Sequence, residues 1–283
     1  MAQTPPVFRH IHEMRQALTP FRKAAQTIAL VPTMGALHKG HLALVREAKK
    51  VADHVVVSIF VNPTQFAPGE DFDAYPRTEE TDLEKLATLG ITGAFIPNAS
   101  EMYPEGFATS ISLAGPAQGL ETDHRPHFFS GVAVVVSKLL LAALPDFALF
   151  GEKDFQQLRV IERMAQDLNI PCKIIGSPTI REEDGLALSS RNTYLSLEER
   201  QRALALPKAL QSAQTALSRG ESWGSIQEAA ITSLEENGFR VDYFEIKDSI
   251  SLAEPIRGRP CRILAAAWQG KTRLIDNCPA ELT

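Results

Sequence analysis

Residues 28–61 read IALVPT, MGALHKGH, LALVREAKKVAD, HVVVSIFV: an apolar run, a glycine-bounded turn with two histidines, an amphipathic stretch and a second apolar run. Pro32 cannot donate to a ladder, so the first strand is expected to stop near it. From His41 the apolar positions Leu42, Val45, Ala48 and Val51 follow a near-helical period with one buried stripe. Asp53 and His54 interrupt that pattern. Val55, Val56, Val57, Ile59, Phe60 and Val61 then form a run rich in β-branched residues, suited to a strand buried on both faces of a parallel sheet. A strand–helix–strand unit of this kind crosses over right-handed and presents its helix N-terminus at the carboxyl end of the first strand. Free N–H groups and a partial positive charge make that end a site for phosphate.

Working outward, residues 7–26 read as an opening helix broken near Pro20. After Val61 the segment NPTQFAPGEDFDAYPRT (62–78) is a polar, proline-rich loop leaving the carboxyl end of the second strand, where doubly wound sheets carry their chemistry. Thr78 is placed to cap a helix with Glu79 and Glu80 in its first turn, ending with Gly90 as the C′ residue. GAFIP (93–97) reads as a strand and ISL (111–113) as a short one. Residues 132–144 are a central apolar helix bounded by Pro145. FALFG (147–151) and KIIGSP (173–178) are further strands, flanking a helix over 152–170. The alternation over 28–178 predicts an α/β, Rossmann-like domain with a largely parallel sheet.

The alternation ends near residue 180. REEDGLALSSRN (181–192) is a polar loop without periodicity. Ser196 and Glu199 form a capping box ahead of a helix with Pro207 as a kink or break, and 223–237 is a second helix closed by Gly238. FRVDYFEI, CRILAAAW and TRLID follow as strands, with QGKT (269–272) as a hairpin turn. Helices followed by strands predict a smaller C-terminal α+β domain. The boundary is expected near 178–186, giving domains 1–178 and 179–283.

Composition narrows the function. The 283 residues are 44% hydrophobic and 22% charged, ordinary values for a soluble globular protein. No apolar run reaches the ~18 residues that span a bilayer. The opening MAQTPPVFRHIHEMR lacks the basic-then-apolar order of a secretory signal, and Cys172, Cys261 and Cys278 form no C-x-x-C, so the expected compartment is the cytoplasm. A net charge of −5 with mixed signs leaves no basic face for a nucleic acid. A small anionic substrate held by local donors is the expectation.

Met34-Gly35-Ala36-Leu37-His38-Lys39-Gly40-His41 is neither the dinucleotide fingerprint nor a Walker loop, since His41 and Leu42 stand where that loop needs Lys and Ser or Thr. It offers two imidazoles three residues apart on one face of a helix start, able to donate hydrogen bonds where phosphoryl transfer builds charge. Zinc is disfavoured because no acidic or cysteine ligand lies nearby in sequence. Gly151-Glu152-Lys153-Asp154 follows a buried strand, which puts Lys153 at another carboxyl end with Gln157 one turn on. Leu188-Ser189-Ser190-Arg191-Asn192 combines hydroxyls with a guanidinium fork suited to phosphate. Asn62-Pro63-Thr64-Gln65-Phe66 adds an amide at a strand end. Asp123–His127 has metal-ligand residue types at irregular spacing and reads as a mobile or lid segment.

PTMGALHKGH (32–41), FVNPTQF (60–66), YPRT (75–78), GEKDFQQL (151–158) and REEDGLALSSRN (181–192), in this order, resemble the pantothenate synthetase (pantoate–β-alanine ligase) family. That family is related to the class I aminoacyl-tRNA synthetases within the nucleotidyltransferase superfamily. The resemblance implies that ATP and (R)-pantoate form pantoyl adenylate and pyrophosphate, and that β-alanine then displaces AMP. It implies nucleotide contacts from Met34, Gly35, His38, Gly40, His41, Gly151, Glu152, Lys153, Asp154, Ile180, Leu188, Ser189, Ser190 and Arg191. His41, the residue given as proton donor in such enzymes, would with His38, Lys153 and Arg191 stabilise charge on the phosphates. Gln65 and Gln157 would hold pantoate. Leu188 replaces a more usual Met, a volume-conserving change. Thr81 interrupts the acidic run after YPRT, leaving Asp82 as the expected contact to magnesium, which ATP oxygens and water would otherwise hold. The adenylate hydrolyses if wet, so residues 179–283 and the 181–192 loop are expected to act as a lid over the ATP- and pantoate-binding domain. A homodimer is implied as well. The nearest rival is another H-x-G-H nucleotidyltransferase that leaves the adenylyl group on a small phosphorylated acceptor; a nucleotide sensor or RNA-binding relative is the rival from outside catalysis.

Overall fold

The computed structural model describes residues 3–66 and 70–282, so residues 67–69 of the expected 62–78 loop lie outside the described residues. Six strands form a parallel sheet: β1 (Val7–Phe8), β2 (Ile28–Thr33), β3 (His54–Ile59), β4 (Gly93–Phe95), β5 (Phe147–Gly151) and β6 (Lys173–Ser177), in the order β1-β4-β3-β2-β5-β6. Helices α1 (Ile11–Lys23), α2 (Lys39–Val51), α3 (Glu79–Ala87), α4 (Ala99–Met102), α5 (Glu121–His124), α6 (Phe128–Ala143) and α7 (Phe155–Asp167) intervene. The run Val55–Val57 is buried in β3, as a strand covered on both faces requires. Leu44, Val45 and Ala48 of α2 pack into the same core as Ala29, Val31 and Leu149.

Four local expectations are corrected. Pro32 does not end β2, which runs on to Thr33 and pairs with β3 throughout. The neighbour on the other side, β5, pairs with β2 only at Ala29 and Leu30, so by Pro32 no second ladder demands a donor. Nor does Pro20 break α1. Met14 and Leu18 on that helix are fully buried, worth about 1.5–3 kcal/mol each, against roughly 3 kcal/mol for an interior proline. Residues 7–8, expected in the helix, instead pair with β4, a strand too short to leave a period. The fourth is ISL (111–113), which joins no sheet; the Ile111 carbonyl accepts from the Ser130 hydroxyl instead.

Beyond Thr179 come α8 (Leu197–Arg202), α9 (Ala205–Ser218), α10 (Trp223–Glu236) and an antiparallel sheet of β7 (Phe239–Asp248), β8 (Pro260–Gln269) and β9 (Thr272–Glu281). The Ser196–Glu199 capping box opens α8 as expected. The break expected at Pro207 falls at residues 203–204, leaving Pro207 in the first turn of α9, where a missing N–H costs least. Leu206, Leu210, Ile226 and Leu234 pack on Phe244, Ile263 and Ala265. The two-residue turn Gly270–Lys271 closes the last hairpin, with Gly270 at φ 58°. The chain thus forms an α/β parallel-sheet domain and a smaller α+β portion.

By contacts, the chain divides into two compact units. One comprises the residues up to Leu113 with Arg125–Glu152 and Val160–Pro178, and the other Ala114–His124, Lys153–Arg159 and the residues from Thr179. Among the described residues no helix is long and apolar enough to cross a membrane.

Candidate active site

In the first unit, strand order reverses at β2, which has β3 on one side and β5 on the other. Such a switch point is where open α/β sheets bind ligands. All strands are parallel, so the segments after β2 (Met34–His41), β3 (Asn62–Gln65) and β5 (Gly151, Glu152) emerge at the same edge of the sheet.

The turn after β2 is strained and pinned. Gly35 (φ 86°) and Ala36 (φ 49°) both occupy the left-handed region, which costs an alanine about 1 kcal/mol. A Cβ on Gly35 would lie 3.1 Å from Ile59 Cγ2 and 3.3 Å from Asp82 Oδ2. Fully buried Asp82 accepts the Leu37 N–H on Oδ1 at 2.8 Å and the Thr78 hydroxyl on Oδ2 at 3.2 Å. Lys85 donates to the Leu37 carbonyl at 2.8 Å, with its Nζ 3.7 Å from Asp82 Oδ1. The two peptide groups that flank the Leu37 Cα are therefore each held by α3, one at its N–H and the other at its C=O. Asp82, the residue expected at the metal, holds this turn through these bonds. Thr78, the expected cap of α3, makes no side-chain capping bond because its hydroxyl goes to Asp82.

The two histidines cap α2 reciprocally. His38 is the N-cap: its Nδ1 accepts the Gly40 N–H at 3.1 Å, and its own N–H donates to His41 Nδ1 at 3.3 Å. The rings lie with centroids 4.0 Å apart. A nitrogen that accepts an N–H carries no proton, so each ring is held as the Nε2–H tautomer and Nε2 is its donor. The cap thus sets each ring and its tautomer.

Gln65 follows β3 in a 3₁₀ turn (Pro63–Gln65). Its Nε2 donates to Met34 Sδ at 3.0 Å, and its Oε1 accepts from Asn62 Nδ2 at 3.2 Å. Arg125 donates to the Gln65 carbonyl at 3.1 Å while its fork holds Glu70 at 2.6 and 2.7 Å. The Asp123–His127 segment, read as a mobile or lid segment, carries the end of α5 and this clamp. Among the described residues no group of three or more His, Cys, Asp or Glu could hold a metal ion.

The second unit holds the other candidates. Residues 180–188 form a tight hairpin rather than an irregular loop: Leu188 N–H donates to Ile180 O, Glu182 N–H to Leu186 O, and Arg181 bridges Ala187. Arg181 binds Asp276 through both terminal nitrogens at 2.7 and 2.8 Å, and that carboxylate holds the guanidinium above its ordinary pKa. Ser189 caps the short 3₁₀ turn Ser190–Tyr194, accepting the Arg191 N–H at 3.3 Å. Lys153 and Asp154 lie in a 3₁₀ turn ahead of α7, with Lys153 Nζ 4.0 Å from Asp154 Oδ2. Gln157 is half-buried on α7. Its neighbour Gln156 is buried and structural, accepting the Glu121 N–H and donating to Pro116 O and Gly119 O.

Sequence reasoning missed Asp276 and Asn277. Both are buried in β9, and they hold the two phosphate-type segments from adjacent positions: Asp276 grips Arg181 of the hairpin, and Asn277 Nδ2 donates to the Lys153 carbonyl at 2.8 Å. Arg262 orients Asn277 by donating to its Oδ1 at 2.7 Å. The signal was a carboxylate and an amide side by side in an otherwise strand-like run.

A parallel sheet whose switch point carries a pinned H-x-G-H turn has the layout of an α/β enzyme that takes its ligand at the carboxyl ends of the strands. The profile of the pantoate-beta-alanine ligase family matches residues 6–279, and the chain belongs to that family. It is 53% identical over 279 residues to the pantothenate synthetase of Caulobacter vibrioides, covering 97% of this chain and 98% of that one. It is also 53% identical over 280 residues to pantothenate synthetase 2 of Bradyrhizobium diazoefficiens, covering 98% and 99%. Among solved structures, pantothenate synthetase from Thermus thermophilus matches with a TM-score of 0.90 at 43% identity, over 96% of this chain and 98% of that one. Pantoate-beta-alanine ligase from Francisella tularensis, complexed with beta-gamma ATP and beta-alanine, matches with a TM-score of 0.82 at 34% identity, over 97% of both chains.

Proposed function

We propose that this chain condenses (R)-pantoate with β-alanine to give pantothenate, driven by ATP and passing through pantoyl adenylate. The observation that carries the chemistry is the H-x-G-H turn, with both imidazoles held as Nε2–H donors at the switch point of a family member's sheet. A carboxylate does not react with an amine until one of its oxygens becomes a good leaving group. In the first step a pantoate carboxylate oxygen attacks the α-phosphorus of ATP and pyrophosphate departs. The β-alanine nitrogen then attacks the acyl carbon, loses a proton, and AMP departs with the bridging oxygen.

His38 and His41 donate to phosphoryl oxygens as charge accumulates, and Lys153 and Arg191 neutralise it. Met34, Gly35, Gly40, Gly151, Glu152, Asp154, Ile180, Leu188, Ser189 and Ser190 supply nucleotide contacts, and Gln65 and Gln157 hold pantoate. Magnesium enters as the counter-ion of ATP, bound by phosphate oxygens and water. Residues 1–178 bind ATP and pantoate in this scheme and residues 179–283 act as the lid. A homodimer and a cytoplasmic setting complete the reading, the former checked by sedimentation of the purified chain.

The test is incubation with ATP, (R)-pantoate and β-alanine. Free AMP should appear only when all three are present; an adenylyl group retained on the product would make this the rival nucleotidyltransferase. Gln65→Ala should raise the pantoate KM about tenfold while the ATP KM stays within twofold, the pattern of one lost substrate hydrogen bond in a desolvated site. Equal weakening toward both substrates would remove Gln65 from pantoate binding.

A further inference from the structure

Gln65 is the end of a chain of hydrogen bonds that has one consistent direction. Asn62 is 1% exposed, and its amide is fully committed. Its Oδ1 accepts from Tyr103 Oη at 2.6 Å, from the Thr64 hydroxyl at 3.0 Å and from the Thr64 N–H at 3.4 Å. Its Nδ2 donates to Gly131 O at 3.3 Å and to Gln65 Oε1 at 3.2 Å. Turning the Asn62 amide over would set its NH₂ against the Thr64 N–H, a donor facing a donor. Gln65 must therefore offer its oxygen to Asn62. That leaves Nε2–H as the end of the chain, satisfied among the described residues only by a thioether, a weak acceptor.

Close packing sets the distance. Gly131, in the first turn of α6, lies against the 3₁₀ turn: a Cβ there would sit 2.3 Å from Thr64 O, 2.6 Å from Thr64 C and 2.9 Å from Gln65 N. These are backbone atoms of the segment that bears Gln65, so they cannot step aside without moving it.

We infer that Tyr103 and Gly131 are positioning residues that fix Gln65 as a hydrogen-bond donor to an anionic or hydroxyl-bearing substrate. The Thr64 N–H sets the direction of the amide pair, Tyr103 holds Asn62 Oδ1 in place through the shortest of its bonds, and Gly131 sets where the pair stands. Burial pushes the Tyr103 phenol up from its ordinary pKa, against a smaller opposite pull from the Thr64 hydroxyl, so it remains a donor at neutral pH. The assignment rests on Gln65 as a pantoate-binding residue, and the experiment separates the two claims.

Initial rates of the purified full-length chain are measured for Tyr103→Phe, Gly131→Ala, Gln65→Ala and the double variant Tyr103→Phe with Gln65→Ala, varying pantoate and ATP separately. Tyr103→Phe should raise the pantoate KM about fivefold, the scale of one hydrogen bond, with the ATP KM within twofold. Gly131→Ala should raise it about tenfold or more. In the Gln65→Ala background Tyr103→Phe should add nothing, because its effect travels through the missing amide. A full fivefold addition in that background, or a Tyr103→Phe enzyme with the parent's pantoate KM, overturns the inference even if Gly131→Ala fails to fold. If Gln65→Ala itself leaves the pantoate KM unchanged, the assignment of Gln65 falls first and the positioning role falls with it.

Discussion

Replacing His41 with alanine is expected to lower the rate of pyrophosphate release by about 10²–10³, the scale for losing one donor aimed at developing charge. The fall should appear in kcat, with the ATP KM within a fewfold of the parent, because the interaction strengthens only as the phosphoryl oxygens gain charge. The substitution also removes the acceptor of the His38 N–H, half of the reciprocal cap on α2. A lost cap costs about 1 kcal/mol, far too little to unfold the sheet and too little to account for a hundredfold loss in rate. Equilibrium unfolding run beside the kinetics therefore separates the two effects. A variant that releases pyrophosphate within twofold of the parent rate takes His41 out of the mechanism.

Asp82→Ala should be the most disruptive single change in the turn. It strips the Leu37 N–H and the Thr78 hydroxyl of their acceptor and leaves the Lys85 ammonium without its nearby carboxylate. Losing a buried carboxylate of this kind is worth about 3 kcal/mol. The left-handed conformation of Ala36 is then unsupported, and His38, two residues on, loses its fixed place. Activity should drop at least tenfold along with stability. Asp82→Asn retains an oxygen for the Leu37 N–H and should recover most of the stability. If instead both variants keep the parent's stability and differ from it only in their magnesium dependence, Asp82 is a metal contact and the anchoring role is wrong.

Much of the candidate site was legible in the chain itself. H-x-G-H, NPTQ, GEKD and SSRN stood out because each couples chemistry-bearing residues to a strand end or a glycine, which is local information. Asp82 was read as a metal contact, and nothing in YPRTEETD shows that its carboxylate turns inward beneath residues 35–37. Asn277 left only a weak trace, because its partner is a backbone carbonyl 124 residues away. Gly131 looked like any glycine in an apolar helix until the Thr64 carbonyl was found against it.

By itself the sequence determined the element types, the parallel sheet, the histidine turn at a helix start and the family. Periodicity, capping and turn chemistry act over a few residues and are written in the chain. Tertiary structure alone decided the two-residue strand β1, the survival of α1 through Pro20 and the passage of β2 through Pro32. It also decided which buried amides and carboxylates hold the functional side chains. Each of those outcomes depends on a partner distant in sequence or on the precise direction of a hydrogen bond, and neither is encoded in spacing.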